Sequence, residues 1–237
     1  MSIIDLDKLV DPVIWYVVFL LSVTLHEAAH AWSAYKLGDN TAHNAGQVTL
    51  NPYPHIKREP IGTIIVPFLT YSLGGWMLGW ASTPYSTGWA YEKPKHAALM
   101  SAAGPLGNFL LVLLSAGLIH LGIHFNYLHK PESVNFSSIV AASNGGYWNI
   151  AAKFLSILFS LNLILFVFNL IPIPPLDGSG IIPLFLPNFI GRKYLGLLNS
   201  RTLNLVGILI AWKIMDLIYM NIFTVFLNLL YPGSHFH

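Results

Sequence analysis

Residues 61–80 read IGTIIVPFLTYSLGGWMLGW. The run is apolar and has the roughly 20 residues that a membrane-spanning helix needs. Pro67, Gly74, Gly75 and Gly79 break it, however. Proline removes a backbone donor and clashes with the preceding turn, and glycine costs about 1 kcal/mol in a helix interior. Whether this stretch crosses, or dips in and returns, sets the sidedness of everything after it.

The surrounding chain supplies the class. Apolar runs near 12–37, 96–123, 150–171 and 203–231 each reach spanning length. The 237 residues are 54% hydrophobic and 9% charged, whereas soluble domains carry about 25% charged residues. The expected fold is an all-α polytopic membrane protein. It is a helical bundle with a re-entrant or broken segment at 61–80 and a short strand-like loop. That loop lies in 38–60 (GDNTAHNAGQVTLNPYPHIKREP), turn-rich and weakly strand-like around Gln47 to Leu50. With the polar stretches 81–95 and 125–149, it is too short for an inserted soluble domain of about 50 residues. Residues 1–237 therefore read as one membrane-embedded domain, with its motifs in 12–185 and a C-terminal helical segment at 203–231.

Counting cations decides how to read 61–80. If it spans, lysines and arginines divide about evenly between the two sides. If it returns, Lys36, Lys57, Arg58, Lys93, Lys95, Arg192, Lys193 and Arg201 share one side, opposite Lys8, Lys130 and Lys153. The positive-inside bias prefers the second arrangement. Irregular backbone at membrane depth is tolerable where protein covers it or a wet cavity meets it. A re-entrant segment is the expectation.

The net charge of +2, without a basic cluster, speaks against nucleic acid as a partner. With no cysteine there is neither disulfide nor thiolate site, so a metal would have to be held by His, Asp or Glu. Asp5, Asp7 and Asp11 beside Lys8 are the opposite of a basic leader, so the first helix is expected to be retained. Asp11-Pro12 reads as its start and Leu37-Gly38 as its end, with Trp15 and Tyr16 at an interface.

Within that helix stands His26-Glu27-Ala28-Ala29-His30. At about 100° per residue the two histidines lie roughly 40° apart on one face, with Glu27 between them in angle. His26 falls about 21 Å along the helix from Pro12, deep in the hydrocarbon region. Each charged group there costs about 2.5–3.5 kcal/mol on insertion scales, so three together signal function. Two imidazoles at this spacing can bind one zinc ion and leave Glu27 beside its water. Catalytic zinc takes a third protein ligand. Of the acidic residues only Glu27, Asp177 and Asp216 lie in or beside apolar segments. Asp216 reads as a local pair with Lys213. Asp177 follows Asn169-Leu-Ile-Pro-Ile-Pro-Pro-Leu, where Pro172, Pro174 and Pro175 end a helix and leave extended backbone. Gly178 and Gly180 after it would permit tight turning.

HEAAH, then Ala103-Gly-Pro-Leu-Gly-Asn108, then Asn169-Leu-Ile-Pro-Ile-Pro-Pro-Leu-Asp177-Gly178, resembles the site-2 protease family of intramembrane zinc metalloproteases. The stretch GDNTAHNAGQVTLNP is similar to compact bacterial members, and no loop has room for a PDZ or CBS insertion. The resemblance implies His26, His30 and Asp177 as ligands of one zinc ion per chain and Glu27 as general base. It implies Asn169 as the group steadying the substrate carbonyl, and Asn108 in packing or in binding the substrate backbone. Pro172 and Pro174 offer an extended edge to a substrate. The implied substrate is a transmembrane protein in the lipid bilayer. The implied place is a bacterial cell membrane, with the metal nearer the cytoplasm. Read from residues alone, a divalent-metal transporter and a catalytically silent scaffold stay open as alternatives. His43 and His55, on loops, read as ordinary polar residues that could approach the cavity.

Overall fold

The computed structural model describes residues 6–198, 200–234 and 236. α1 (Leu6–Lys36) is followed by α2 (Thr41–Asn44) and α3 (Pro52–Arg58), then by a π-helical turn (Ile61–Ile65) and α4 (Val66–Gly74). α5 (Thr87–Glu92) leads into α6 (Pro94–His124). A small ribbon, β1 (Leu128–His129) antiparallel to β2 (Ala141–Ala142), separates α6 from α7 (Tyr147–Leu170). α8 (Asp177–Ile181), a 3-10 turn (Ile182–Phe185), α9 (Asn188–Leu198) and α10 (Arg201–Leu230) complete the order. Among the described residues four helices are long and apolar enough to cross a membrane: α1 from Val10, α6, α7 and α10. The chain is a multi-pass membrane protein of the all-α class.

Segment 61–80 doubles back on itself, as a re-entrant segment would. The π-helical turn and α4 cover 61–74, about 20 Å at 1.5 Å per residue, short of a bilayer core of roughly 30 Å. Gly75, in the left-handed conformation at φ 74°, stops the helix, and the chain returns without regular structure. Start and return lie side by side. Trp80 N–H donates to the Gly62 carbonyl at 3.1 Å, and Ser82 Oγ donates to Glu59 Oε1 at 2.6 Å. Pro67 explains the pairing. In π register its missing N–H would have met Gly62, and Trp80 supplies that donor instead. The glycines permit the approach, since a Cβ on Gly79 would lie 2.1 Å from the Gly62 oxygen.

α6 packs against both α1 and α7, and α1 also touches α7. The apolar seam between α1 and α7 is Val18 and Phe19 against Ile157, Leu158 and Leu161. Lipid is as apolar as these side chains, so close contact and buried polar bonds must hold the helices together. Ser22, Asn108 and Asn162 supply such bonds from three helices, all fully buried. Beyond α1, Asp39 ties the loop to the start of α5 by accepting from the Ser86 N–H at 2.8 Å. Burial alone would raise the Asp39 pKa; hydrogen bonds from Thr41 and Ser86 outweigh it and hold the carboxyl below its usual range.

Several expectations are corrected. α1 starts at Leu6, so Asp11 does not cap it; Asp11 pairs with Lys153 of α7. Trp15 is buried and stacked on Phe136 at 5.6 Å, and so lies in the core and not at an interface. Val48 to Leu50 form bends and Gln47 has no regular structure, and the ribbon falls in 125–149. Lys213 and Asp216 are both exposed, and no ion pair joins them among the described residues. Gly178 and Gly180 serve close packing and not a positive-φ turn.

Candidate metal and catalytic site

One helical turn on α1 places the His26 and His30 rings edge to face, 4.7 Å between centroids, with their Nε2 atoms 3.0 Å apart. The third group arrives from α7. Pro172 lacks the N–H that would continue that helix, and α8 opens at Asp177. Gly178 seats this turn against the end of α7, where a Cβ would lie 2.3 Å from the Leu170 oxygen. Gly180 seats it against Ser101 of α6 in the same way, at 2.3 Å from Oγ. Asp177 Oδ2 thereby comes to 3.1 Å from His26 Nε2 and 3.3 Å from His30 Nε2.

The hydrogen bonds behind the rings fix which nitrogen carries the proton. His30 Nδ1 lies 2.7 Å from the Met100 carbonyl, which can only accept. His26 Nδ1 lies 2.6 Å from Asn108 Oδ1. Both Nδ1 atoms therefore donate, and in the neutral rings both Nε2 atoms present lone pairs, so their short contact is not a hydrogen bond in that state. Asp177 Oδ2 has no donor either. With both rings neutral, three acceptor atoms thus converge on one point, an arrangement that suits a cation. Ligands about 2.0 Å from a tetrahedral zinc stand roughly 3.3 Å apart, close to the spacings here. Facing them, Gly104 of α6 leaves the space open: a Cβ would lie 2.2 Å from His30 Nε2 and 2.6 Å from His26 Nε2. The residues fit a three-ligand zinc site. The Asp177 side chain keeps 22% of its surface exposed, so one flank stays open to water or substrate.

Glu27 is buried and lies outside this triad. Thr83, three residues past the 61–80 segment, has its hydroxyl 2.7 Å from Glu27 Oε2 and 2.9 Å from the Glu27 carbonyl, so its one proton serves the nearer, charged carboxylate oxygen. Oε1 accepts from no protein group among the described residues. Thr83 was invisible to sequence reasoning: it stands 56 positions from Glu27 in a loop without periodicity.

The other expected residues fall as follows. Asn108 is fully buried, with Oδ1 against His26 Nδ1 at 2.6 Å. Asn169 is half-buried and spends Nδ2 on the Leu165 carbonyl at 3.0 Å. Pro172 is exposed, beside an apolar cavity of about 460 Å³ between α7 and α10 that Leu170, Ile173, Ile214 and Ile218 also line. The Pro174 carbonyl is covered by Gly207 of α10. His43 stacks on Tyr35 at 4.5 Å, and His55 is buried against the Thr49 carbonyl; neither joins the triad.

No solved structure matches the chain. "Putative zinc metalloprotease YwhC" of Bacillus subtilis is 37% identical over 178 residues, 75% of this chain and 71% of that protein. "Putative zinc metalloprotease Rip2" of Mycolicibacterium smegmatis is 30% identical over 162 residues, 68% of this chain and 53% of its own length. The Mycobacterium tuberculosis protein of that name is 32% identical over 162 residues. The chain thus spans about half the length of the mycobacterial relatives. The model of peptidase family M50 matches residues 14–214. With most of its length so matched, and with this site inside the match, the chain belongs to peptidase family M50, the site-2 protease family of metalloproteases.

Proposed function

We propose that the chain is a zinc-dependent endopeptidase that cuts transmembrane segments of membrane proteins within the bilayer. It would work in a bacterial cell membrane, with its metal site nearer the cytoplasm. The observation that carries this reading is the convergence of His26, His30 and Asp177 ligand atoms beside a tethered Glu27, with both histidines and Glu27 on one membrane-spanning helix. Zinc held by those three residues would supply a Lewis acid and a water of lowered pKa. Thr83 occupies Oε2 of Glu27, leaving Oε1 to take a proton from the attacking water and pass it to the leaving nitrogen. Asn169 is the donor for the substrate carbonyl, a role worth roughly 3 kcal/mol in other enzymes. It must first exchange its bond to Leu165. A helical substrate hides its carbonyls in its own hydrogen bonds and has to unwind locally. Pro172 is exposed, but in a bend closed by the Ile173 N–H on the Ile171 carbonyl at 2.8 Å and not on an extended edge. It offers a surface contact only, and the neighbouring cavity offers room for apolar side chains.

The test is cleavage of a single-span membrane substrate by the purified chain in lipid vesicles. Cleavage should stop on chelation and return with zinc; a metal-loaded chain that leaves such substrates intact overturns the reading. Sidedness has its own test, because the chain lacks cysteine. Lys57→Cys and Thr87→Cys should both be shielded from an impermeant thiol reagent in intact cells, and Asn144→Cys, at an exposed position between α6 and α7, should react. Opposite behaviour of the first two would make 61–80 a true span. Thr83→Val keeps the shape and removes the donor to a carboxylate, a bond worth about 1.5–3 kcal/mol. The expected result is a fall in cleavage rate of about tenfold or more with zinc content unchanged, measured on the same preparation.

A further inference from the structure

We infer that Asn162 of α7 is a positioning residue for the metal site, acting on His26 through Asn108. The inference rests on the zinc-site reading above. It follows from hydrogen bonds whose direction is forced. Asn162 Nδ2 donates to the Leu158 carbonyl at 2.8 Å and to Ser22 Oγ at 2.9 Å. The carbonyl has no proton to give. Ser22 spends its hydroxyl proton on the Val18 carbonyl at 2.7 Å, so it too accepts. The Asn162 amide therefore has one orientation, and its oxygen faces Asn108. Asn108 Nδ2 donates to that oxygen at 2.8 Å, with the Ser22 carbonyl behind it at 3.4 Å. Asn108 Oδ1 is left facing His26 Nδ1 at 2.6 Å. An acceptor at that place puts the ring proton on Nδ1 and frees Nε2 for metal.

A backbone carbonyl on α7 thus sets a tautomer on α1 by way of α6. With the Asn162 amide reversed, Asn108 would meet a donor and turn its own Nδ2 toward His26. Nδ1 would have to accept, and the proton would sit on Nε2, where the metal belongs. A metal-bound histidine usually donates its other N–H to a carboxylate, backbone carbonyl or water. A carboxylate or a backbone carbonyl cannot present the wrong atom in this way. A neutral amide can, and so Asn108 needs a second residue to hold it. All three side chains are fully buried, and no water competes for their bonds.

A buried asparagine can also simply glue helices together, which would affect folding and not the metal. The discriminating experiment uses the full chain in detergent. Zinc affinity is read by chelator competition, the cobalt-substituted visible spectrum by absorption, and metal-free stability by thermal melting. Asn162→Leu should weaken zinc about tenfold and alter the cobalt bands, the lower end of what lost outer partners cost. Asn108→Leu should do at least as much, and the double variant should be no weaker than Asn108→Leu alone, because both act on one ring. Ser160→Ala, which trims a buried and unpartnered hydroxyl two positions away on α7, should leave both metal readings unchanged. If Asn162→Leu does not fold, Asn162→Ser replaces it. Its hydroxyl can still bond the carbonyl one turn back, but it is too short for Asn108, so the same loss is expected. Zinc affinity within about twofold of the native chain, or losses that add in the double variant, overturns the inference. A native chain that binds no zinc would overturn the site reading and take this inference with it.

Discussion

Glu27→Gln is expected to abolish cleavage while the chain keeps its zinc. The two side chains have nearly the same shape, and Thr83 Oγ1 can donate to an amide oxygen as it does to Glu27 Oε2. The substitution therefore leaves the side chain placed. It removes only the capacity to accept a proton from water, and a positioned base of this kind contributes about 10²–10⁴-fold to rate. The metal ligands are untouched, because Glu27 lies outside the cluster of His26, His30 and Asp177. Turnover of a reconstituted membrane substrate and zinc per chain, taken on one preparation, check both halves. Undiminished cleavage would remove Glu27 from the mechanism, and lost zinc would show that it binds metal after all. The expected split also separates a protease from a transporter, whose ion pathway has no need of a base.

The residues that could be read in advance share one property: their signal is local. His26, Glu27 and His30 lie within one helical turn. Asp177 stands at the end of a proline-broken apolar run, where backbone cannot remain helical. The return of 61–80 was legible for a different reason, since cations on either side of it record topology. What escaped was long-range. The Asp11 partner is 142 positions away, which is why Asp11-Pro12 looked like a cap when the helix had already begun at Leu6. Thr83 and Asn162 are single polar residues in ordinary surroundings, and only the fold turns them toward Glu27 and Asn108. Trp15 shows the same limit from the apolar side. Composition places tryptophan at an interface, but the stacking partner Phe136, in a loop far along the chain, draws it into the core.

Gly104→Ala is expected to cost the chain its zinc without costing it its fold. Alanine in the middle of α6 is a better helix former than glycine by about 1 kcal/mol, so the backbone alone would gain. The new methyl group, however, would stand 2.2 Å from His30 Nε2 and 2.6 Å from His26 Nε2. Neither ring can swing aside freely. His30 is held at the Met100 carbonyl and His26 at Asn108, by bonds of 2.7 Å and 2.6 Å. α6 cannot back away easily either, because Gly107, one turn on, lies close to Leu25 and Ala29 of α1. At least one ring must give up its bond and its aim. Displacing a ligand itself should weaken binding beyond the 10–100-fold typical of lost outer partners, to about 100-fold or more. Zinc per chain after dialysis should fall toward zero while the metal-free chain still folds, the helix gain of about 1 kcal/mol offsetting part of the roughly 1–3 kcal/mol lost with the ring's bond. Gly107→Ala is the matched comparison. Its Cβ would meet Ala29 at an ordinary 3.4 Å and no ligand atom, so zinc should remain. If Gly104→Ala binds zinc as the native chain does, the metal does not sit where His26, His30 and Asp177 converge. Loss in both glycine variants would instead point to general repacking of α6 on α1. The contrast between two glycines one turn apart therefore tests the position of the site, which metal content alone does not.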